Sequence, residues 1–231
     1  MTRFTKTLRA AGLAACAVFA AAAPANAQVE GRVATADVAS SILGTTAFQT
    51  ASSQINTTYS AQIQQLQTKQ QELSQLILPF DTDNNGQLDE AEQNAMQSAP
   101  SFSQIQSVQG EIAGLTSQVN GATIFAVEQI LVRYSEALSE VVQQQQIVML
   151  IAPETVQFVA EGGDISPLVS ASLNAKIPTV QIVPPADWRP SRQGAQVTQT
   201  IQQMLVAIRQ QAAQQQAQQQ AQQPAAAPSG R

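Results

Sequence analysis

Two long stripes of apolar residues at three- and four-residue steps, separated by one short acidic segment, restrict this chain more than any other feature. The first runs Ile55, Tyr59, Ile63, Leu66, Gln70, Leu73, Ile77, with one polar interruption at Gln70. The second runs Ile105, Val108, Ile112, Leu115, Val119, Ala122 and resumes one phase later as Ile124, Val127, Leu131, Tyr134, Leu138, Val141. This spacing lines one face of a helix and approximates a coiled-coil seam. Thr45 or Thr46 can cap the first helix, and Pro79 ends it, because the residue before a proline is driven out of the α region. Two such helices around a short connection predict a helical hairpin. A hairpin tolerates an aromatic content of only 4%, which is low for a compact enzyme core of this length. Gly110, Gly114 and Gly121 each weaken the return helix by about 1 kcal/mol relative to alanine, and they permit bending or close approach of another helix. The remaining helix surface is rich in Gln, Ser and Thr, so it is uncharged but wet.

The connection contains Asp81-Thr82-Asp83-Asn84-Asn85-Gly86-Gln87-Leu88-Asp89-Glu90-Ala91-Glu92, which fills every coordinating position of a twelve-residue calcium loop. Asp81, Asp83 and Asn85 supply side-chain oxygens at positions one, three and five, and Gly86 permits the sharp turn at six. Gln87 offers a backbone carbonyl, Asp89 a water-mediated contact and Glu92 both carboxylate oxygens. Leu88 is the expected inward apolar residue. The expected cofactor is calcium, at one site per chain. Such loops usually occur in pairs and this one is single, which leaves a decorated turn as the competing reading. A short helix, Glu90 to Gln97, follows and is stopped by Pro100. The outgoing pattern, 45–78, has 34 residues and the return, 101–146, has 46. At about 1.5 Å per residue the return is longer by about 18 Å. Residues 79–100 must therefore supply part of the outgoing leg, which puts the loop near the distal end.

The chain begins as a secretory leader does. Arg3, Lys6 and Arg9 precede an apolar run, and Ala25-Asn26-Ala27 forms a small-x-small cleavage site. Residues 1–27 are read as a signal peptide cleaved after Ala27, with a periplasmic product and no span in the mature chain. Leu13-Ala14-Ala15-Cys16 has too little apolar segment ahead of it for a lipoprotein box. Cys16 is the one cysteine, so the mature chain has neither disulfides nor thiol chemistry. The leader holds three bases and no acid, so its removal takes the net charge from −5 to −8. That disfavours nucleic acid as a partner, because phosphate contacts need a basic surface. The sequence has no histidine, no phosphate-cradling glycine loop and no nucleophile–base set, so no enzyme is expected.

Outside the hairpin the period changes. Val33-Ala34-Thr35-Ala36-Asp37 is strand-like, and Ile147–Ile151 reads as a buried strand. Val156–Val159 and Val180–Val183 read as two more strands. Ser166 and Pro167 form a cap-plus-N1 pair for a helix through Leu173. Gly194 to Gln211 is amphipathic on Val197, Ile201, Leu205 and Ile208. The strands are too short and too few to close a core within one chain, so pairing between subunits is expected to make folding and assembly one event. The expected organisation is a signal peptide at 1–27, the first strand of a base at 28–44 and the arm at 45–146, with its loop at 81–92. Strands and a helix completing the base occupy 147–183, a linker and amphipathic helix 184–211, and a disordered Gln/Ala/Pro tail 212–231.

Arg32–Asp37, Ile147–Val156 and Asp164–Leu168 through Asn174, in this order around a long hairpin and behind a secretory leader, resemble the OmpH/Skp family of periplasmic chaperones over about residues 29–175. The resemblance implies a mainly α fold: a long coiled-coil hairpin arm on a small, short-stranded β base that trimerises. It also implies an ATP-independent holdase, in which unfolded outer membrane proteins are the partners and sit in a cavity between the arms of a homotrimer. Nucleic acid is not an expected partner; proximity to a membrane surface is compatible with this location. Members of the family are strongly basic whereas this chain is acidic, and the calcium loop and the extension after residue 176 are additions. The reading from a different class is an envelope structural or adaptor coiled coil whose arm is stiffened by calcium.

Overall fold

The computed structural model describes residues 32–222; the segment read as a signal peptide, 1–27, and residues 223–231 of the tail lie outside them. The chain is mainly α, with long helices and a two-stranded sheet. In order, the elements are β1 (Arg32–Thr35), α1 (Val38–Leu43), α2 (Thr46–Thr58), α3 (Ser60–Ile77), α4 (Glu90–Gln97), α5 (Phe102–Gln144), β2 (Ile147–Ile151), α6 (Ser166–Lys176) and α7 (Arg192–Gln222). Among the described residues no helix is long and apolar enough to cross a membrane.

Local chemistry sets the boundaries. Asp37, read above as the end of a strand, is instead the N-cap of α1: its carboxylate accepts the Ser40 N–H at 2.6 Å. Thr45 caps α2 by accepting the Phe48 N–H at 3.2 Å. Tyr59 leaves helical geometry (φ −100°, ψ 18°) and divides α2 from α3. After Ile77 a 3₁₀ turn holds Leu78–Phe80, with Pro79 inside it.

The outgoing α2 and α3 return as α5. Lys69 on α3 meets Glu111 on α5 at 2.9 Å, and Ala61 shares a cleft with Gln118, so the hairpin turns near residue 90. No residue of α3 is buried. Two helices alone cover only the facing half of each seam, which leaves Ile63, Leu66, Leu73 and Ile77 of α3 and Ile112, Leu115 and Val119 of α5 half-buried, while Ile105 and Val108 near the turn are buried. The return helix runs unbroken through its three glycines. A Cβ at Gly110 or Gly114 would meet nothing within 4 Å, so neither serves a close approach. At Gly121 a Cβ would touch the Trp188 ring at an ordinary 3.8 Å.

The core lies at the root of the arm. Ala126, Val127, Ile130, Tyr134, Ala137 and Val141 of α5 are buried against α2, α6 and α7, with Ile42, Ile165, Val169, Leu173 and Ile201 filling between the helices. Helices build most of this core within one chain, with Ala34 of β1 and Ile147 of β2 joining it, so its closure does not rest on the strands alone. Lys176 at the end of α6 binds Glu136 and Glu140 of α5, each at 3.0 Å. The ammonium, helped by the Ser172 hydroxyl, holds the Glu140 carboxyl below its ordinary pKa.

β1 and β2 pair in parallel, Val33 opposite Met149 and Thr35 opposite Ile151, across a connection that contains the whole arm. The sheet extends on the far side of β1, where Thr35 donates to the Gly163 carbonyl (2.8 Å) and accepts the Ile165 N–H (2.9 Å). Sheet-like pairing therefore comes from Gly163–Ile165. Val156–Val159 is not a strand, although its alternation suggests one: its Phe158 is 82% exposed and no backbone ladder holds the segment. Of β2 only Ile147 is buried; the buried-strand reading fails for Val148–Ile151 in a single chain. Val180–Val183 is also not a strand. Ser166 is the first helical residue, not the cap. Its hydroxyl donates to Asp164 at 2.6 Å and accepts the Asp37 N–H at 2.9 Å, and the helix continues past Leu173 to Lys176.

α7 is longer than its amphipathic part. Ile201 is fully buried, yet the helix continues through the glutamine run to Gln222, so residues 212–222 are helical and not disordered. Glutamine and alanine are good helix formers, and they extend a helix whose nucleus is already docked. Trimming after Gln211 removes helical residues 212–222, and none of the side chains described there, 212–219, is buried. Circular dichroism should therefore show less helix, while the melting temperature moves by less than a few degrees. A larger drop would mean that the tail packs on the body.

Candidate metal centre

The acidic loop is folded back on itself by two left-handed residues, Asn84 (φ 57°) and Gly86 (φ 80°). Asparagine tolerates that region because its short amide bonds locally, and glycine because it has no Cβ. The Asp81 carboxylate accepts the Asn85 and Gly86 N–H groups at 3.1 and 2.9 Å. Asp83 accepts from the Asn85 backbone at 3.1 Å and from its side-chain amide at 2.6 Å. These bonds bring residues from the two ends of the loop together: carboxylate oxygens of Asp81, Asp83 and Glu92 lie within 4.8 Å of one another.

Glu92 is the anchor. It is only 6% exposed. One oxygen accepts both the Thr82 N–H and the Thr82 hydroxyl at 2.7 Å, and the other accepts the Asp89 N–H at 3.0 Å. The Thr82 hydroxyl first, and then the backbone N–H groups of Asp89 and Thr82, hold the Glu92 carboxyl below its usual pKa. Asp89 in turn accepts the Glu92 N–H at 2.8 Å, completing a capping box at the start of α4. The helix start therefore builds the site, since the same two side chains cap α4 and fix the position of Glu92.

Of the six residues named from the sequence, Asp81, Asp83 and Glu92 converge. Asn85 turns its amide nitrogen to Asp83 and its oxygen to the Gln87 N–H (2.7 Å). Asp89 is engaged as a cap, and the Gln87 side chain is exposed. The loop is entered from a 3₁₀ turn, not a long helix, because Pro79 interrupts the backbone ladder there. Sequence reasoning missed Thr82, whose hydroxyl orients Glu92; a hydroxyl residue directly after the first acid was the available signal. The converging donors are all carboxylate oxygens, which suits a hard cation of calcium's class and offers nothing to a soft transition metal.

No family model matches the chain, and no curated protein matches it. Among solved structures it is similar to a candidate OmpH-like outer membrane chaperone from Caulobacter crescentus. The identity is 15% and the TM-score 0.42, over 68% of this chain and 91% of that one.

Proposed function

We propose that this protein is an ATP-independent periplasmic holdase, in which unfolded outer membrane proteins are held between the arms of a homotrimer. The observation that carries the reading is β2. Val148, Met149, Leu150 and Ile151 stay 54, 46, 41 and 38% exposed on a two-stranded sheet, beside a helical body that has closed its own core. An open strand of that composition is an aggregation hazard unless other chains cover it, and further copies of the same base supply matching cover. The arm supports the second half of the reading. Its outgoing α3 buries no residue, and its surface mixes half-covered apolar residues with glutamines. Such a surface suits many weak contacts with an extended chain. The resemblance of the β1, β2 and α6 residues to the OmpH/Skp family supports it further, and the leader-like start supports the periplasmic location. A mature charge of −8 leaves apolar contact and hydrogen bonding, not charge steering, to hold the client.

Calcium belongs to the same proposal, held by Asp81, Asp83 and Glu92 with oxygens from Asn85, Gln87 and Asp89, to order the arm's tip. An aggregation assay with an unfolded β-barrel client tests the function. Suppression at near-stoichiometric trimer is expected. No effect would leave the arm as an envelope structural coiled coil stiffened by calcium.

A further inference from the structure

Residues 177–191 form a strap that joins α6 to α7 without regular structure, and it lies across α5. Its ends are fixed by buried residues, Leu173 on one side and Gly194, Thr198 and Ile201 on the other; Ile177 and Val180 lie half-buried against the core, and no residue between 177 and 191 is fully buried. Pro178, Pro184, Pro185 and Pro190 remove four backbone donors, and the strap forms little internal structure. It is held instead by side chains of α5. The Gln129 amide accepts the Gln181 N–H at 3.0 Å and donates to the Gln181 carbonyl at 2.8 Å. Its other amide hydrogen goes to the Phe125 carbonyl at 3.0 Å, so the group is fully satisfied. This two-point pairing resembles one rung of a β ladder, with a glutamine side chain in place of a strand, and it reads backbone without regard to residue type. Four residues back along α5, Phe125 packs edge-on against Trp188, with ring centroids 5.5 Å apart. Glu128 accepts the Trp188 indole N–H at 2.9 Å and the Ser191 N–H at 2.6 Å. A groove begins at Glu128 and Ser191 and continues past Leu131 and Val132 to Val38, so the surface extends beyond what the strap covers.

We infer that the Phe125–Gln129 face of α5, with the groove beyond it, is a binding surface for extended polypeptide that the chain's own 177–191 strap occupies, so that strap and unfolded client compete. The inference rests on the holdase reading and assigns it a surface and a control. Contacts aimed at backbone and one aromatic ring suit a partner without fixed sequence, and the strap beyond Val180, held by Gln129, Phe125 and Glu128 and not by the core, can lift while α7 stays docked. Unfolded clients therefore enter by displacing the strap.

Variants on the two sides of the contact must act in opposite directions. Trp188→Ala and Gln181→Pro weaken the strap alone; the second deletes the N–H that Gln129 accepts, in a segment already rich in proline. Each should tighten binding of a fluorescently labelled unfolded β-barrel polypeptide by about tenfold, the effect of losing one good contact. Because Gln129 also holds the strap, it is tested with the strap already freed: Trp188→Ala/Gln129→Leu should bind more weakly than Trp188→Ala alone, and a synthetic 177–191 peptide should compete. The inference is overturned if strap variants leave binding unchanged or lower it, because the strap is then structural only. If no form of the protein binds the polypeptide, the holdase reading fails separately. The surface is then judged by whether the 177–191 peptide binds the Trp188→Ala protein: binding upholds it and no binding overturns it.

Discussion

Leu150→Asp should convert the assembled protein into a folded monomer. Leu150 lies in β2 opposite Ala34, 41% exposed in a single chain, and belongs to the continuous apolar run Val148–Ile151. If further copies cover that run, the substitution places a carboxylate in a dry, apolar interface. Burying an unpaired charge costs several kcal/mol, and the penalty repeats in every subunit. The helical body should survive, because Ile42, Val127, Ile130, Ile165 and Leu173 are buried within the chain and none of them belongs to β2. Sedimentation equilibrium at about ten micromolar should give three times the chain mass for the parent and a single mass for the variant, with nearly equal helix content. A monomeric parent would remove the trimer from the proposal, and a trimeric variant would place the contact elsewhere. Loss of helix together with assembly would mean that the body depends on its neighbours after all.

The elements read well from the sequence were those whose cause is local. Thr45 caps because it precedes an apolar period, Pro79 interrupts because of its ring, and Pro100 stands just beyond α4. The mainly α architecture with a small sheet follows from the two stripes in the same way. The errors came where a local signal was outbid by a partner far along the chain. Val156–Val159 and Val180–Val183 have β-branched composition, but β1 takes its second neighbour from Gly163–Ile165, and Gln129 satisfies the Gln181 backbone in place of a strand. No periodicity announces a single glutamine 52 residues away. Gly194 shows the same limit: it looks like a weak helix start, yet a Cβ there would overlap the Glu128 carboxylate that caps the approach to α7. At the loop, the six-position pattern marked the right segment. It did not show that Asp89 is engaged as a helix cap, because the capping box and the ion site use the same residues.

Glu92→Gln should abolish calcium binding while leaving assembly and most helix intact. Asp81, Asp83, Asp89, Glu90 and Glu92 put five negative charges into twelve residues, and three of these side chains converge. A divalent ion offsets two charges and ties Asp81, after the turn at Pro79, to Glu92 inside α4. The amide of glutamine keeps the size of the side chain and one acceptor oxygen, but it loses the charge and the second acceptor. That oxygen's bond, to Thr82 or to the Asp89 N–H, then has no acceptor to receive it. Extracytoplasmic calcium sites bind at about 10⁻⁴–10⁻³ M, so at about millimolar ion the linkage is worth about 0.4–1.4 kcal/mol per arm. That biases the order of the distal arm and is too small to hold up the fold, since the core lies at the other end of α5. Calorimetry should therefore register calcium heat for the parent and none for the variant. Hydrogen exchange in Leu78–Gln97 should slow with calcium in the parent only, with the α5–α6 core unchanged. If the parent shows neither heat nor slower exchange up to several millimolar, Asp81, Asp83 and Glu92 meet only to close a turn and cap α4.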